Sequence, residues 1–244
     1  MHKAGFVNIV GNPNVGKSTL MNALVGEKIS IITSKSQTTR HRIMGIVNGD
    51  DFQIVYSDTP GVLKPNYRLQ ESMLAFSQSA LIDADVLLYV TDTVEMHDKN
   101  VDFLNKIKGV DVPIFVIINK IDLLPNQEKL EELVALWQNT LPKAHIIPIS
   151  ATEKFNVDYV LKQIKDLLPE SPPYFEKDAL TDRPARFFVT EIIREKILTN
   201  YDKEIPYAVE IDTEEFIEDE KIIRIRSVIM VERDTQKGII IGHK

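Results

Sequence analysis

One short segment constrains the fold of this chain more than any other. Residues 11–18 are Gly-Asn-Pro-Asn-Val-Gly-Lys-Ser; they directly follow an apolar run at 6–10 and directly precede a helical pattern at 18–25. This spacing fits the motif G-x-x-x-x-G-K-[ST], which joins a buried strand to a helix. We therefore expect a strand, a glycine-rich turn and a helix at the start of an α/β domain.

The sequence up to residue 168 continues that alternation. Short β-branched runs predict six strands, at 6–10, 43–47, 52–56, 86–90, 114–118 and 145–149. Apolar residues at helical spacing predict helices at 18–25, 69–81, 99–108, 127–141 and 157–168. Alternating elements predict a mostly parallel sheet with helices on both faces. The turn Asn48-Gly49-Asp50 favours an antiparallel hairpin between the second and third strands.

A chain of 244 residues has room for two domains. We place the first at residues 1–170 and, because residues 169–184 are rich in proline and polar side chains, an extended linker at 171–184. The remainder, 185–244, has a helical pattern at 185–199 and alternating patterns around 207–211 and 223–231, which predict two strands. The acidic run at 214–220 between them is expected to be a solvated loop.

Charge and cysteine content exclude several classes of protein. The net charge of −7 argues against a protein that coats nucleic acid by bulk electrostatics, so any contact with nucleic acid must be local. The absence of cysteine excludes a disulfide framework and thiolate catalysis. No apolar run approaches the length of a membrane span, so a cytoplasmic location is expected.

The loop at 11–18 carries the first chemical prediction. Backbone N–H groups at a helix N-terminus converge on a phosphate, and glycine allows the ligand to approach closely. Lys17 is expected to contact the terminal phosphates, and the Ser18 hydroxyl to hold Mg²⁺. The other residues expected to line the bound nucleotide are Gly11, Asn12, Asn14, Val15, Gly16 and Thr19.

Three later segments complete this site, each directly after a predicted strand. Asp58 opens Asp-Thr-Pro-Gly and can hold Mg²⁺ directly or through water, while the backbone N–H of Gly61 can move onto a γ-phosphate. In Asn119-Lys120-Ile121-Asp122, Asp122 can accept two hydrogen bonds from guanine, which adenine does not offer. Asn119 is expected to tie this segment to the phosphate loop, and Lys120 to lie over the base. The pair Ser150-Ala151 is expected to offer the Ala151 N–H to the guanine carbonyl.

These motifs, in this order, resemble the Ras-like GTPase superfamily and, within it, the bacterial Era GTPases. The narrower resemblance includes Ser-Gln-Thr-Thr-Arg-His-Arg at 36–42 and Val-Glu-Arg-Asp-Thr-Gln-Lys-Gly-Ile-Ile-Ile-Gly at 231–242. It implies a GTP-hydrolysing switch that uses GTP, GDP and Mg²⁺, followed by an RNA-binding KH domain. The implied partners are 16S rRNA and the small (30S) ribosomal subunit. The resemblance also implies a cytoplasmic monomer, and it leaves open whether the protein associates peripherally with the inner face of the cell membrane.

Several assignments stay open at this point. By resemblance, Thr38 and Thr39 lie in switch I, and either could complete the Mg²⁺ shell. The basic residues Lys35, Arg40, His41 and Arg42 are either solvated charges or contacts to phosphate or RNA. The chain ends inside the G-x-x-G loop of the implied KH domain, so that domain is expected to be partial and its RNA affinity impaired.

The hydrolytic water raises a further question. Val62 stands where Ras has the glutamine that orients the attacking water, and valine cannot hydrogen-bond a water. In related GTPases an asparagine at the place of Asn14 helps bind K⁺; here Asn14 either does the same or only stabilises the turn. Two alternatives to a GTPase remain: a guanine-nucleotide binding module with negligible turnover, and an ATP-dependent enzyme, which Asp122 argues against.

Overall fold

The computed structural model describes residues 1–62, 65, 68–94 and 101–242. Contacts between Cα atoms divide the chain into two units. The first holds Met1–Ser30 and Thr39–Asp182, and the second holds Ile31–Thr38 and the chain from Arg183 onward. The segment Ile31–Thr38 therefore belongs to the second unit although it lies early in the sequence.

The first unit is built on a six-stranded sheet in the order β2-β3-β1-β4-β5-β6. Only the β2–β3 pair is antiparallel, and the other neighbouring pairs are parallel. The mostly parallel sheet and its hairpin are therefore confirmed. The strands are β1 (Lys3–Gly11), β2 (Ile43–Asn48), β3 (Phe52–Asp58), β4 (Val86–Asp92), β5 (Ile114–Asn119) and β6 (His145–Pro148).

Helices join these strands, as the sequence predicts. They are α1 (Lys17–Val25), α2 (Arg68–Ser79), α3 (Val101–Lys108), α4 (Gln127–Thr140) and α5 (Val157–Leu167). The predicted start of α3 at residues 99–100 lies outside the described residues. Every residue of β4 and β5 is buried, because helices cover parallel strands on both faces. Trp137 of α4 packs against Tyr89 of β4 in the core between them.

The predicted linker is packed against the sheet along much of its length. The side-chain amide of the buried Gln53 bonds the backbone of the linker through both its oxygen and its nitrogen. Its Oε1 accepts from the N–H of Tyr174 (2.7 Å) and from the N–H of Phe175 (2.9 Å). Farther along, the N–H of Ile46 donates to the carbonyl of Leu180 (2.8 Å). Composition predicts that the segment is extended but does not predict these contacts. The bond between Ile46 and Leu180 covers the open edge of the sheet at β2. The first unit consequently runs to Asp182.

The second unit contains α6 (Ala185–Asn200), β7 (Val209–Glu218), β8 (Ile223–Val231) and α7 (Asp234–Ile241). The predicted order of helix, strand and strand is confirmed, and α7 is an additional element. Glu214, Glu215 and Glu218 extend β7, because the β7–β8 ladder continues to the pair Glu218–Ile223, and only Asp219 and Glu220 of the predicted acidic loop lie outside the strands. Arg226 of β8 adds exposed ion pairs to Glu214 (3.2 Å) and Glu215 (2.9 Å). The small core holds Ile197, Ile205, Val209 and Ile211, while several isoleucines of β8 remain exposed.

Among the residues that the structure describes, no helix is long and apolar enough to cross a membrane.

Candidate functional site

The phosphate loop requires glycine at two positions where other chain segments pass close by. A Cβ on Gly11 would lie 2.1 Å from the carbonyl oxygen of Val90, and one on Gly16 would lie 2.2 Å from Nδ2 of Asn119. Both glycines also have positive φ, of 148° and 96°. Because Gly16 is the N-cap of α1 and has no side chain, the N–H groups of the first helical turn are left for an anion.

Lys17 is buried at the start of α1, and its ammonium folds back over the loop. Its Nζ donates to the carbonyl of Asn12 at 2.7 Å. Asn14 sits at the exposed tip of the loop in the left-handed conformation, with φ 64°. Val15 is buried, and Thr19 is half-buried in the first turn of α1.

A cluster of one carboxylate and three hydroxyls lies at this end of α1. Ser18 Oγ donates to Oδ2 of Asp58 at 2.6 Å and lies 3.0 Å from Oγ1 of Thr39. The fourth member is Ser30, whose buried hydroxyl is close enough to the Asp58 carboxyl to lower its pKa but makes no hydrogen bond within the described part of the chain. Oxygen donors of these kinds suit Mg²⁺.

The Asp58 carboxyl is the group whose surroundings best fit a cation. It is fully buried, and its Oδ1 has no hydrogen-bond partner within the described part of the chain. Burial raises the pKa of Asp58 above its ordinary value, while the hydrogen bond from Ser18 and the charge of Lys17 oppose that rise. A bound cation would satisfy the free oxygen and stabilise the carboxylate, so these residues fit Mg²⁺.

The structure separates the two threonines that the sequence leaves open. Thr39 lies in the first unit beside Ser18. Thr38 lies in the second unit, where its hydroxyl bonds Thr33 Oγ1 and the carbonyl of Lys35, both at 2.6 Å. This arrangement favours Thr39 as the residue that completes the Mg²⁺ shell. Thr38 instead shapes the backbone of the segment that precedes it.

The loop after β3 is docked against the phosphate loop. Thr59 Oγ1 donates to the carbonyl of Ile9 at 2.7 Å, and the N–H of Val62 donates to the carbonyl of Gly11 at 3.0 Å. A Cβ on Gly61 would lie 2.7 Å from the backbone of Pro13, so this close approach requires glycine. The Val62 side chain packs into the core beside Val10 rather than toward the metal cluster.

The segment after β5 is tied to the phosphate loop by a buried amide, as predicted. Asn119 Nδ2 donates to the carbonyl of Val15 at 2.9 Å, and its Oδ1 accepts from the N–H of Ala151 at 3.0 Å. Asn119 thereby joins three of the four sequence motifs. The Ala151 N–H is used by this bond in the structure, so its contact with guanine stays a prediction.

Lys120 and Asp122 stand at the outer side of this segment. Lys120 has φ 63°, and its Nζ donates to the carbonyl of Asn14 (2.6 Å) and to Asp92 Oδ2 (2.7 Å). Asp122 is exposed in the short 3-10 helix Ile121–Leu123. The buried hydroxyl of Ser150 accepts from the N–H of Glu153 at 3.2 Å, which holds the turn after β6.

Sequence reasoning missed two partners in this site. Asp92, which anchors Lys120, ends the apolar strand β4, and a polar residue at that end of a parallel strand is a usable signal. Ser30 has no motif around it, because its position depends on the side chain of Asn22, which bonds the backbone of Ile29 and Ser30. Such a contact cannot be read from residue spacing.

Comparisons with known proteins agree with this geometry. The family described as 50S ribosome-binding GTPase matches residues 6–120. GTPase Era of Alkaliphilus metalliredigens is 44% identical over 244 residues, covering 99% of this chain and 82% of the relative. GTPase Era of Staphylococcus epidermidis is 42% identical over 243 residues, covering 99% of this chain and 81% of the relative.

Two solved structures match over almost the whole chain. A crystal structure of Era in complex with MgGDPNP and nucleotides 1506–1542 of 16S ribosomal RNA has a TM-score of 0.93 and 37% identity, covering 100% of this chain and 83% of that one. A variant of Aquifex aeolicus Era bound to GDP·AlF4⁻ has the same TM-score and identity, with coverage of 99% and 83%. This chain therefore belongs to the Era family of GTPases.

Proposed function

We propose that this chain binds GTP and GDP with Mg²⁺, hydrolyses GTP to GDP and phosphate, and couples its nucleotide state to the binding of 16S rRNA in assembly of the small ribosomal subunit. The observation that carries the hydrolytic part is the cluster of half-buried Ser18 with buried Thr39 and Asp58 at the N-terminus of α1. Its orphan carboxylate oxygen fits a cation, and the helix terminus beside it suits phosphate.

Hydrolysis here depends on positioning and electrostatics, because the protein supplies no covalent step in phosphoryl transfer. Lys17 provides positive charge at the terminal phosphates, while Ser18 and Thr39 are the proposed Mg²⁺ ligands and Asp58 binds the ion directly or through water. Mg²⁺, when bound, neutralises charge that develops on the phosphates. The Gly61 N–H is the proposed donor to the γ-phosphate.

Base choice is proposed to rest on Asp122. A carboxylate that accepts from guanine N1–H and from the exocyclic amine rejects adenine, because adenine would leave it without those donors. Lys120 keeps its stem along this surface by holding Asn14 and Asp92 with its ammonium. An ATP-dependent enzyme is therefore the weaker alternative, and competition between GTP and ATP for the site tests it.

A multiple-turnover phosphate-release assay tests the hydrolytic proposal against a binding module with negligible turnover. Lys17→Ala should lower turnover by at least about a hundredfold, because it removes a charge aimed at the reacting phosphates. Lys143→Ala, which changes an exposed lysine outside the site, is the matched control and should retain normal turnover. Equal hydrolysis by Lys17→Ala and the parent chain would refute the assignment.

The RNA-binding part of the proposal rests on the relatives. Era in one matching structure holds nucleotides 1506–1542 of 16S ribosomal RNA, and residues 185–244 here are proposed to form the partial KH domain. A labelled RNA of that sequence should bind this chain weakly, because the KH domain is partial, and about fivefold or more tightly in the GDPNP state than in the GDP state. Equal affinities in the two states would contradict the coupling.

Location and oligomeric state belong to the same proposal. We place the chain in the cytoplasm as a monomer, with contact to the membrane limited to peripheral association. Sedimentation of the purified chain with and without anionic lipid vesicles tests both points. Co-sedimentation with vesicles at physiological salt would support a peripheral contact, and a mass of twice the 27.8 kDa chain would contradict the monomer.

A further inference from the structure

The side chain of Arg42, directly before β2, is held by several hydrogen bonds. Its guanidinium donates from Nε to Ser57 Oγ (2.5 Å), from Nη1 to Asp83 Oδ2 (2.6 Å), and from Nη2 to Asp83 Oδ1 (3.0 Å) and Asn8 Oδ1 (3.1 Å). The Arg42 side chain is 12% exposed and that of Asp83 is 48% exposed, so the fork lies at the surface while the bonds to Ser57 and Asn8 reach inward. A bidentate fork of this kind fixes geometry more strictly than a single charge contact.

The residues that Arg42 binds are themselves held in place. Asn8 and Ser57 are register partners on β1 and β3, and both are fully buried. Asn8 Nδ2 also donates to the carbonyl of Ala80 and to Asp83 Oδ1, both at 2.7 Å. Since Ala80 and Asp83 follow α2, the network joins three places in the fold: the start of β2, the neighbouring strands β1 and β3, and the end of α2.

Each of these three places adjoins a segment that is proposed to contact the nucleotide or its Mg²⁺ ion. Thr39 closely precedes Arg42, and Asp58 directly follows Ser57. The loop with Gly61 leads into α2, whose end is held through Ala80 and Asp83. The strand β1 leads into the phosphate loop at Gly11. One guanidinium therefore bonds residues adjoining both loops that are proposed to contact the γ-phosphate and the strand that leads to Asp58.

We propose that Arg42 is a positioning residue for hydrolysis, which keeps Thr39 and Asp58 aligned with Ser18 through its fork to Asp83. This inference rests on the proposed function of the metal cluster. It also assigns Arg42 an internal role, in place of a solvated charge or an RNA contact. Misplacement of reacting groups by as little as 1 Å can cost about a hundredfold in rate, so a loosened anchor has a measurable effect.

The test measures turnover, Mg²⁺ dependence, GDP affinity and Tm for Arg42→Lys, Arg42→Gln, Asp83→Asn and the double variant Arg42→Gln/Asp83→Asn. Arg42→Gln should lower kcat and raise the Mg²⁺ concentration for half-maximal rate, each by about tenfold, with GDP affinity within about twofold of the parent chain. Arg42→Lys should share most of that loss although it keeps the charge, because lysine lacks the fork.

The double variant should be no slower than the slower of its two single variants, since both substitutions break the fork between Arg42 and Asp83, while Asp83→Asn also alters the bond from Asn8 Nδ2. Arg226→Gln is the matched control, because Arg226 also pairs with carboxylates but on an exposed strand of the second unit, and its kcat should be unchanged. A lowered Tm with normal kcat and normal Mg²⁺ dependence in all Arg42 variants would show a structural role only and overturn the inference. Additive effects on kcat would overturn it as well. A parent chain that fails to hydrolyse GTP would refute the proposed function itself.

Discussion

Removing the Asn119 side chain should loosen the nucleotide site and destabilise the first unit together. Asn119 is 3% exposed and makes two buried hydrogen bonds, to the carbonyl of Val15 and from the N–H of Ala151. Asn119→Ala removes both and leaves two backbone groups without partners. The amide also lies against Gly16, so the phosphate loop loses the group that packs on it.

The size of this effect follows from the cost of a buried polar group. Each unsatisfied group costs about 1–3 kcal/mol, so two of them give about 2–4 kcal/mol once water reaches part of the loop. Unfolding of the nucleotide-free chain in urea should show a loss of about this size. If the whole of a loss of about 3 kcal/mol appeared in the binding free energy, the affinity for GDP would fall by about a hundredfold.

The assay combines urea unfolding with titration of a fluorescent GDP. Asn119→Asp is the informative partner variant, because it keeps an acceptor for Ala151 but loses the donor to Val15; it should retain part of the stability. Asn139→Ala, at an exposed amide of α4, is the control and should change both measurements little. The reasoning is refuted if Asn119→Ala changes the unfolding free energy by less than about 0.5 kcal/mol and leaves GDP affinity intact.

Three further predictions concern single groups. Turnover in K⁺ buffer should exceed that in Na⁺ buffer at matched ionic strength if Asn14 helps bind the ion; identical rates would remove K⁺ from the mechanism. Ser30→Ala should raise the Mg²⁺ requirement by about tenfold, because the Ser30 hydroxyl supports the Asp58 carboxylate, and an unchanged Mg²⁺ titration would contradict this. Tyr56→Phe should raise the unfolding free energy by up to about 1 kcal/mol, since the buried Tyr56 hydroxyl has no partner within the described residues. Burial also raises the pKa of Tyr56, so the parent chain should lose stability relative to Tyr56→Phe as pH rises above about 10, where the unfolded tyrosine ionises; a less stable Tyr56→Phe at neutral pH would refute the account.

The parts of the fold that sequence reasoning predicted are those with local signals. Buried β-branched runs define the six strands, and the motif at each strand end places Lys17, Asp58 and Asn119 at one edge of a parallel sheet. That topology alone brings the motifs together, because the carboxyl ends of parallel strands share an edge. The tie from Asn119 to the phosphate loop was predictable for the same reason.

The parts that were not predicted depend on contacts between residues far apart in sequence. Gln53 holds the backbone at Tyr174 and Phe175, and Arg42 forks onto Asp83; neither pair has a motif or a fixed spacing. Composition alone therefore predicts an extended linker and leaves Arg42 as either a solvated charge or a contact to phosphate or RNA. The helix α7 was missed for a different reason: its start depends on the Gln236 side chain, which accepts from the N–H of Arg233.

The choice of guanine by Asp122 is the most direct test of a guanine-nucleotide switch. The measurement is an equilibrium titration of Mg·GTP and Mg·xanthosine triphosphate on the parent chain and on Asp122→Asn. The amide replaces one acceptor with a donor, so GTP should weaken by a few kcal/mol, about a hundredfold or more, while xanthosine triphosphate should bind more tightly than it does to the parent chain. Unchanged GTP affinity in Asp122→Asn would contradict the account.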